Sequence, residues 1–252
     1  MGIEGEADLS VIGRLIAEPA RARALMALSD GRWLPASMLA LEAGVANSTM
    51  SGHLGRLLDG GMITVQQHGR YRYYQLAGPH IAELVEVIAR VSPTLTITSL
   101  KAGTRAHAIR RARRCYDHLG GRLAVAITAG LIRDHHLAGH DGSIDPDRMP
   151  GSRPAGGVLD PIAYTVTETG AAFLAERLSV YTQPHIAVRC CVDWTEHQHH
   201  LAGALGRDVL AICEHNDWLK AAKQPRALLL THAGRDALQD IFQVDLTDHS
   251  AA

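Results

Sequence analysis

Between Pro35 and Leu76, two short helix-periodic segments flank a turn of small residues, and two strand-like runs follow at once. Few folds accommodate that order. The helical segments are Pro35–Ala43 and Ser48–Asp59, joined by Gly44-Val45-Ala46-Asn47. The runs are Met62–Gln67 and Tyr71–Leu76, joined by the tight turn His68-Gly69-Arg70. Met50, Leu54, Leu57 and Leu58 fall on one helix face and must point into a core. Pro35 suits a first helical turn, where its missing donor has no partner to lose. Asn47 and Ser48 are placed to cap the second segment. Upstream, Leu9–Ala17 sets Leu9, Ile12, Leu15 and Ile16 on one face, with Asp8 or Ser10 at its start and Pro19 at its end. Ala20–Ser29 is a further helix with Leu25 and Leu28 inward, stopped at Asp30-Gly31.

Opposite the apolar face of Ser48–Asp59 lie Thr49, His53 and Arg56, with Ser48, Ser51 and Gly52 at the leading end. Short polar side chains and open amides at a helix start allow approach to phosphates and base edges. Gly52 and Gly55 each cost about 1 kcal/mol against alanine inside a helix, which calls for a compensating close approach to a neighbour or to DNA. In the second strand-like run, Arg70 and Arg72 alternate with Tyr71, Tyr73 and Tyr74, placing basic groups along the edge of a minor groove. Either Tyr73 or Tyr74 is expected to pack on the helix instead. The pattern is a winged helix-turn-helix. Its expected DNA-contact set is Asn47, Ser48, Thr49, Ser51, Gly52, His53, Arg56, Arg70 and Arg72. A solvated helix surface accounts for the polar face taken alone; the wing behind it favours duplex DNA.

The stretch from Glu18 to Leu76 resembles the ArsR/SmtB family of bacterial repressors. Pro19-Ala20-Arg21-Ala22-Arg23-Ala24-Leu25 is similar to that family's opening motif, Asn47–Leu54 to its recognition helix and Gly69–Leu76 to its wing. The resemblance implies a homodimer built from the first helix and the helix after the wing. Pro79–Arg90, with Ile81, Leu84, Val85 and Ile88 in one stripe, fits that second role, and the same stripe also fits an intramolecular core. The family's metal positions do not carry over. Pro35–Ala43 has no cysteine pair, and Pro79–Arg90 offers only His80, Glu83 and Glu86. Gly52 stands where relatives often carry a polar or basic side chain, so base readout is expected to differ.

More than half the chain follows the wing, and it repeats itself. Cys115-Tyr116-Asp117-His118-Leu119-Gly120-Gly121 aligns with Cys191-Val192-Asp193, an inserted segment, then His200-Leu201-Ala202-Gly203. Farther on, Tyr164–Gly170 matches Leu228–Gly234, each a strand ending in Thr-x-x-Gly before a short helix. Thr167 and Thr231 can cap those helices, and the glycines allow a close approach to the strand. Each unit therefore reads as a long helix, a loop or hairpin, one strand and a short helix. The fold class is mainly α with small β-hairpins (α+β). The N-terminal winged helix-turn-helix spans residues 1–92, a linker residues 93–104, and a domain of two winged-helix-like repeats residues 105–252. His140–Gly157, rich in Gly, Pro and Asp, is an inserted surface loop.

A large unit appended to a DNA-binding domain suggests effector binding. Cys115, His118, Cys191, Asp193, Trp194 and His200 are the candidate effector residues. The cysteines, histidines and aspartates supply ligands that suit a soft or borderline metal ion. The competing reading needs no cofactor: Asp117 and Asp193 cap helices, the cysteines are small buried residues, and Trp194 and Trp218 either wall an apolar pocket or join the core. Repetition favours this second reading, because both halves must make the same turn. The basic residues Lys101, Arg105, Arg110, Arg111, Arg113 and Arg114 have three candidate roles: phosphate contact, partners for Asp117, Asp193 or Glu196, or a solvated face.

A formal net charge of −1 over 252 residues argues against indiscriminate polyanion binding. The acidic start of the chain does not read as an export signal, no apolar run reaches membrane-spanning length, and four cysteines form no disulfide framework, so a cytoplasmic, reduced protein is expected. The function expected is a dimeric, sequence-specific transcriptional regulator, a repressor relieved by a small-molecule or metal effector in the C-terminal domain, with no catalytic residues. The alternative is a cysteine-based enzyme or redox protein using Cys115 with His118, or Cys191 with His200. No phosphate loop, carboxylate pair or nucleophile elbow supports that alternative.

Overall fold

Side-chain caps set where the first helices begin. Asp8 accepts the Ser10 amide at 2.9 Å and opens α1 (Leu9–Ile16). Glu18 accepts the Arg21 amide at 3.0 Å and opens α2 (Pro19–Leu28), with Pro19 in the first turn where it forfeits no bond. The computed structural model describes residues 6–94, 96, 99–139 and 164–244, and it divides into two units between Ile88 and Ala89.

In the first unit, α2 leads to β1 (Leu34–Pro35), α3 (Ala36–Ala43), α4 (Asn47–Asp59), β2 (Ile63–His68) and β3 (Tyr71–Leu76), and α5 (Pro79–Val91) begins in it and runs past the division. The three strands form one antiparallel sheet in the order β1-β3-β2. Gly44 ends α3 with φ 72°, a left-handed conformation that glycine adopts without steric cost. Leu25, Leu28, Leu39, Met50, Leu54, Leu57, Met62 and Leu76 are buried together. This is a winged helix-turn-helix, with α3 and α4 as the helical pair and β2–β3 as the wing. A side chain at Gly60 would overlap Leu15, so glycine there lets α1 seat one edge of its apolar face. No residue of α1 is fully buried, and Leu9 remains 79% exposed.

The second unit runs α6 (Leu100–Arg111), β4 (Arg113–Cys115), β5 (His118–Gly120), α7 (Arg122–Arg133), β6 (Leu137–Ala138), β7 (Tyr164–Val166), α8 (Glu168–Leu178) and β8 (Ala187–Val188). It continues with β9 (Cys190–Val192), β10 (His199–Leu201), α9 (Gly203–His215), β11 (Leu219–Ala221), β12 (Leu228–Leu230) and α10 (His232–Phe242). Each repeat is thus hairpin, helix, hairpin, helix. The front hairpins β4–β5 and β9–β10 replace the expected opening on a helix, and they put Cys115 and Cys191 on strands. Helix α6 begins at Leu100, inside the stretch read as linker. The expected loop at His140–Gly157 lies outside the described residues.

Core positions recur in register through both repeats. Leu119, Leu123, Ile127, Leu137, Leu174 and Leu178 correspond to Leu201, Leu205, Val209, Leu219, Leu238 and Phe242, and all lie in one shared core. Fully burying each such side chain contributes about 1.5–3 kcal/mol, so neither repeat keeps this core without the other. Thr167 accepts the Gly170 amide at 2.9 Å and Thr231 the Gly234 amide at 3.0 Å, capping α8 and α10. A side chain at Gly170 would strike the His136 backbone, and one at Gly234 the Trp218 backbone. The Thr-x-x-Gly motif therefore caps a helix and presses it onto the turn that leads into β6 or β11 rather than onto the strand itself.

The repeats also exchange strands. β8 pairs with β7, while the Leu228 amide donates to the Ala112 carbonyl at 2.9 Å and the Arg114 amide to the Arg226 carbonyl at 2.8 Å. Each wing therefore takes as its neighbour the chain leading into the other repeat's front hairpin. Among the described residues, no helix is long and apolar enough to cross a membrane.

Candidate functional site

Two places in the molecule carry chemistry. The first is α4 and the wing. Met50, Leu54 and Leu57 anchor α4 to the core, leaving Asn47, Ser48, Thr49, Ser51, Gly52 and Arg56 exposed. The helix is capped by the backbone of Ala46 rather than by a side chain. This corrects the expected role of Asn47, which sits in the first turn and accepts the Ser51 hydroxyl at 3.0 Å through its carbonyl. Without a side-chain cap, the leading amides of α4 face outward and carry the positive end of the helix dipole. His53 is also corrected: it turns back toward Glu18, with Nδ1 3.5 Å from the carboxylate, and is half-buried rather than on the open face.

A side chain added at Gly52 or Gly55 meets nothing within 4 Å. Among the described residues, packing within the unit does not require glycine at either position. In the wing, Arg70 and Arg72 are exposed, and the Arg70 guanidinium lies 5.9 Å from the centre of the Tyr71 ring. Tyr74 is buried and Tyr73 half-buried, so the inward tyrosine is Tyr74.

The second place is where the front hairpins of the two repeats meet. Cys115 stands directly across from His118 in the β4–β5 ladder, and Cys191 across from His200 in the β9–β10 ladder. One ligand atom from each of these four residues lies within 4.8 Å of all the others. The two imidazole centroids are 5.2 Å apart. All four cysteines are thiols. Gly206 of α9 permits the meeting, because a side chain there would press on the Leu201 carbonyl and on His118.

Each histidine has its own carboxylate. Asp117 accepts from His118 Nδ1 at 3.0 Å, and Asp193 Oδ2 lies 3.4 Å from His200 Nδ1. Nε2 of both rings is buried without a hydrogen-bond partner. Each carboxylate is in turn held by an arginine: Asp117 by Arg207 at 3.1 Å, and Asp193 by Arg113 at 2.9 Å. The Arg113–Asp193 pair has no solvent exposure on either side chain. Asp193 also accepts the amides of Gly121 at 2.7 Å, Thr195 at 2.9 Å and Glu196 at 3.1 Å. It therefore ties down the residue that precedes α7 of the opposite repeat, as well as the turn of its own loop.

Protonation follows these contacts. Burial pulls His118 down, but Cys115 and the Asp117 carboxylate outweigh it and hold the imidazole up at about 9. Burial, together with neighbouring His118, pushes His200 well below its ordinary value despite Asp193. Burial works against the charge on Asp193, yet Arg113 and His200 hold it well below the usual carboxylate range. Burial alone pushes the Cys190 thiol up to about 12, and burial beside Glu214 does the same to Cys213. A raised pKa disfavours the thiolate that a nucleophile or metal ligand needs.

Of the six effector candidates, the structure brings Cys115, His118, Cys191 and His200 together and sets Asp193 behind them. Trp194 is elsewhere: its ring packs 4.9 Å from the Arg113 guanidinium. Of the two readings left open for the tryptophans, Trp218 takes the second and packs, partly buried, against the shared core. A cleft lined by Leu119, Ala124, Ile127, Leu201, Gly206 and Val209 has about 10 Å³ of interior space, room for roughly one water molecule. Arg113 takes one of the three roles the sequence offered, as partner of Asp193; Arg207, which holds Asp117, carried no signal in the sequence. Three residues of the basic run are ion-pair partners: Arg113 on Asp193, Arg110 on Glu196 at 2.9 Å and Arg114 on Glu214.

Comparison with known proteins bears on the winged helix-turn-helix. The chain is 31% identical over 244 residues to YdfF of Bacillus subtilis, described as an HTH-type transcriptional regulator, covering 95% of this chain and 99% of that one. It is 39% identical over 90 residues to the HTH-type transcriptional regulator CmtR of Mycobacterium bovis, covering 34% of this chain and 75% of the relative. Among solved structures, the homodimeric winged helix-turn-helix domain of Mb0332 from Mycobacterium bovis, a possible ArsR-family regulator, matches with 24% identity and a TM-score of 0.30. That match covers 34% of this chain and 86% of the other. No protein-family model matches the chain.

Proposed function

Because the chain belongs to the HTH-type transcriptional regulators, with an ArsR-type winged helix-turn-helix as its first third, we infer that it works as a homodimeric repressor. Each protomer sets one α4 into a major groove of an inverted-repeat operator, and an effector held by the second unit releases the DNA. The observation that carries this reading is the two-sided character of α4. Its apolar face is locked into the core, while Ser48, Thr49, Ser51, Gly52 and Arg56 stand exposed at an end without a side-chain cap. Short side chains and free amides there can approach phosphates closely, which fix register, while a few side chains read bases. The open space at Gly52 and Gly55 fits a helix whose near neighbour is the DNA backbone. Arg70 and Arg72 extend the contact along the flanking minor groove.

The dimer rests on α1. Its apolar residues span a wide arc, yet none is fully buried within the unit, and Leu9 and Val11 stay exposed at the two edges of that arc. A second copy covers such a surface and sets the two α4 helices on a two-fold axis. The cluster of Cys115, His118, Cys191 and His200 is the effector site, because an occupant there bridges both repeats. Such an occupant changes operator affinity only by binding one arrangement of the protein better than the other.

The dimer is tested by sedimentation velocity. Wild-type protein is expected to sediment as a dimer at micromolar concentration. The double substitution Leu9→Lys with Val11→Lys is expected to give a monomer with an unchanged far-ultraviolet circular dichroism spectrum and weakened operator binding. A monomeric wild type, or a double variant that stays dimeric, contradicts the assignment.

A further inference from the structure

We propose that Cys115, His118, Cys191 and His200 bind a single divalent metal ion of soft or borderline character, of the zinc or cadmium type, in a closed four-coordinate shell that joins the two repeats of the second unit. This names the occupant of the effector site inferred above, and it rests on that reading only for its regulatory consequence.

The geometry carries the assignment. With metal–ligand bonds of about 2.0–2.3 Å, a tetrahedron sets its ligand atoms about 3.3–3.8 Å apart. The four ligand atoms already lie within 4.8 Å of one another, so a contraction of about an ångström at the widest edge completes the shell. Three of the four residues are buried and the fourth half-buried, which keeps competing water ligands out. The donor set, two thiolates and two imidazoles, matches soft and borderline divalent ions and disfavours magnesium or calcium.

The histidines supply an independent observation. Asp117 takes Nδ1 of His118, and Asp193 faces Nδ1 of His200, which leaves Nε2 of each ring buried without a partner. A buried ring nitrogen left unsatisfied is costly, and a carboxylate behind a histidine is the usual arrangement for orienting an imidazole onto a metal. Both repeats build this arrangement from one pattern, Cys-x-Asp followed by His. Neither hairpin alone offers more than two ligands. The ion is therefore a clasp between repeats, and with four protein ligands it leaves no open position for catalysis.

Cobalt(II) titration of the reduced, metal-free full-length protein tests the site. The expected result is saturation at one ion per chain, with visible ligand-field bands of a tetrahedral centre and a near-ultraviolet thiolate charge-transfer band, all erased by zinc. Cys115→Ser and Cys191→Ser should each weaken the charge-transfer band. Asp117→Asn, at a partly exposed position and checked by an unchanged far-ultraviolet circular dichroism spectrum, should lower affinity about 10–100-fold while keeping the bands. Absence of the bands in wild type, or bands that survive both serine substitutions together, overturns the proposal. A one-ion site with these properties and no change in operator affinity upholds the metal site and overturns its regulatory role.

Discussion

Replacing Asp193 by alanine is expected to destabilise the second unit by about 3–5 kcal/mol, the cost of stranding one partner of a buried ion pair. Neither Asp193 nor Arg113 has side-chain exposure, so water cannot take over the guanidinium. The same substitution strips acceptors from the amides of Gly121, Thr195 and Glu196, and unmet buried donors add to the loss. Asp193→Asn keeps an acceptor oxygen but not the charge, so it should fall between wild type and alanine. A double variant, Arg113→Met with Asp193→Leu, removes both charges and should recover part of the stability, leaving mainly the loss of the amide acceptors. Urea unfolding followed by tryptophan fluorescence measures this, since Trp194 packs on Arg113. A loss below about 1 kcal/mol for the alanine variant would mean that the pair is solvated in solution.

The second large effect belongs to α4. Ser51→Ala with Arg56→Ala should weaken specific operator binding by about 100-fold or more, since a good side-chain contact to a base is worth about 1–3 kcal/mol and the dimer makes each contact twice. Both residues are exposed, so melting temperature and sedimentation should not change. Electrophoretic mobility shift at fixed salt checks the binding, and salt dependence separates the two residues. Losing a phosphate contact lowers the slope of affinity against salt, whereas losing a base contact relaxes sequence preference at one position. Unchanged operator affinity in the double variant would remove this face from the interface.

How much of this was legible in the sequence differs between the two units. In the first, helix periodicity and the turn residues Gly44 and Gly69 located the helical pair and the wing, because apolar spacing over a dozen residues is a strong signal. The cap was misread. Asn47 is a favoured capping residue, but the chain turns into the helix at Ala46, so the local backbone and not the residue type decided the boundary. His53 was misassigned because helix spacing places it beside Thr49 and Arg56, and only the fold reveals Glu18 beneath it.

In the second unit, the repeat and its Thr-x-x-Gly caps were readable, since both are local chemistry. The front hairpins were not. Strands of three residues carry no alternation to detect, and the turn between Cys115 and His118 depends on Tyr116 at φ 56°, where a glycine or asparagine signal was absent. For Arg113 the sequence left phosphate contact, carboxylate pairing and a solvated face open; its place on β4 turns it fully inward onto Asp193. The meeting of two Cys/His pairs drawn from distant segments follows from the exchange of strands between repeats. A pattern within either repeat does not encode that contact.

Selection of bound duplexes from a random-sequence library, followed by hydroxyl-radical footprinting on the winning site, tests the central claim most directly. Two copies of α4 on a two-fold axis should enrich an inverted repeat whose half-site centres lie about 10–10.5 base pairs apart or a multiple of that, with protection on one face of the helix. Enrichment of a single unrepeated site, or no enrichment over bulk DNA, would contradict it.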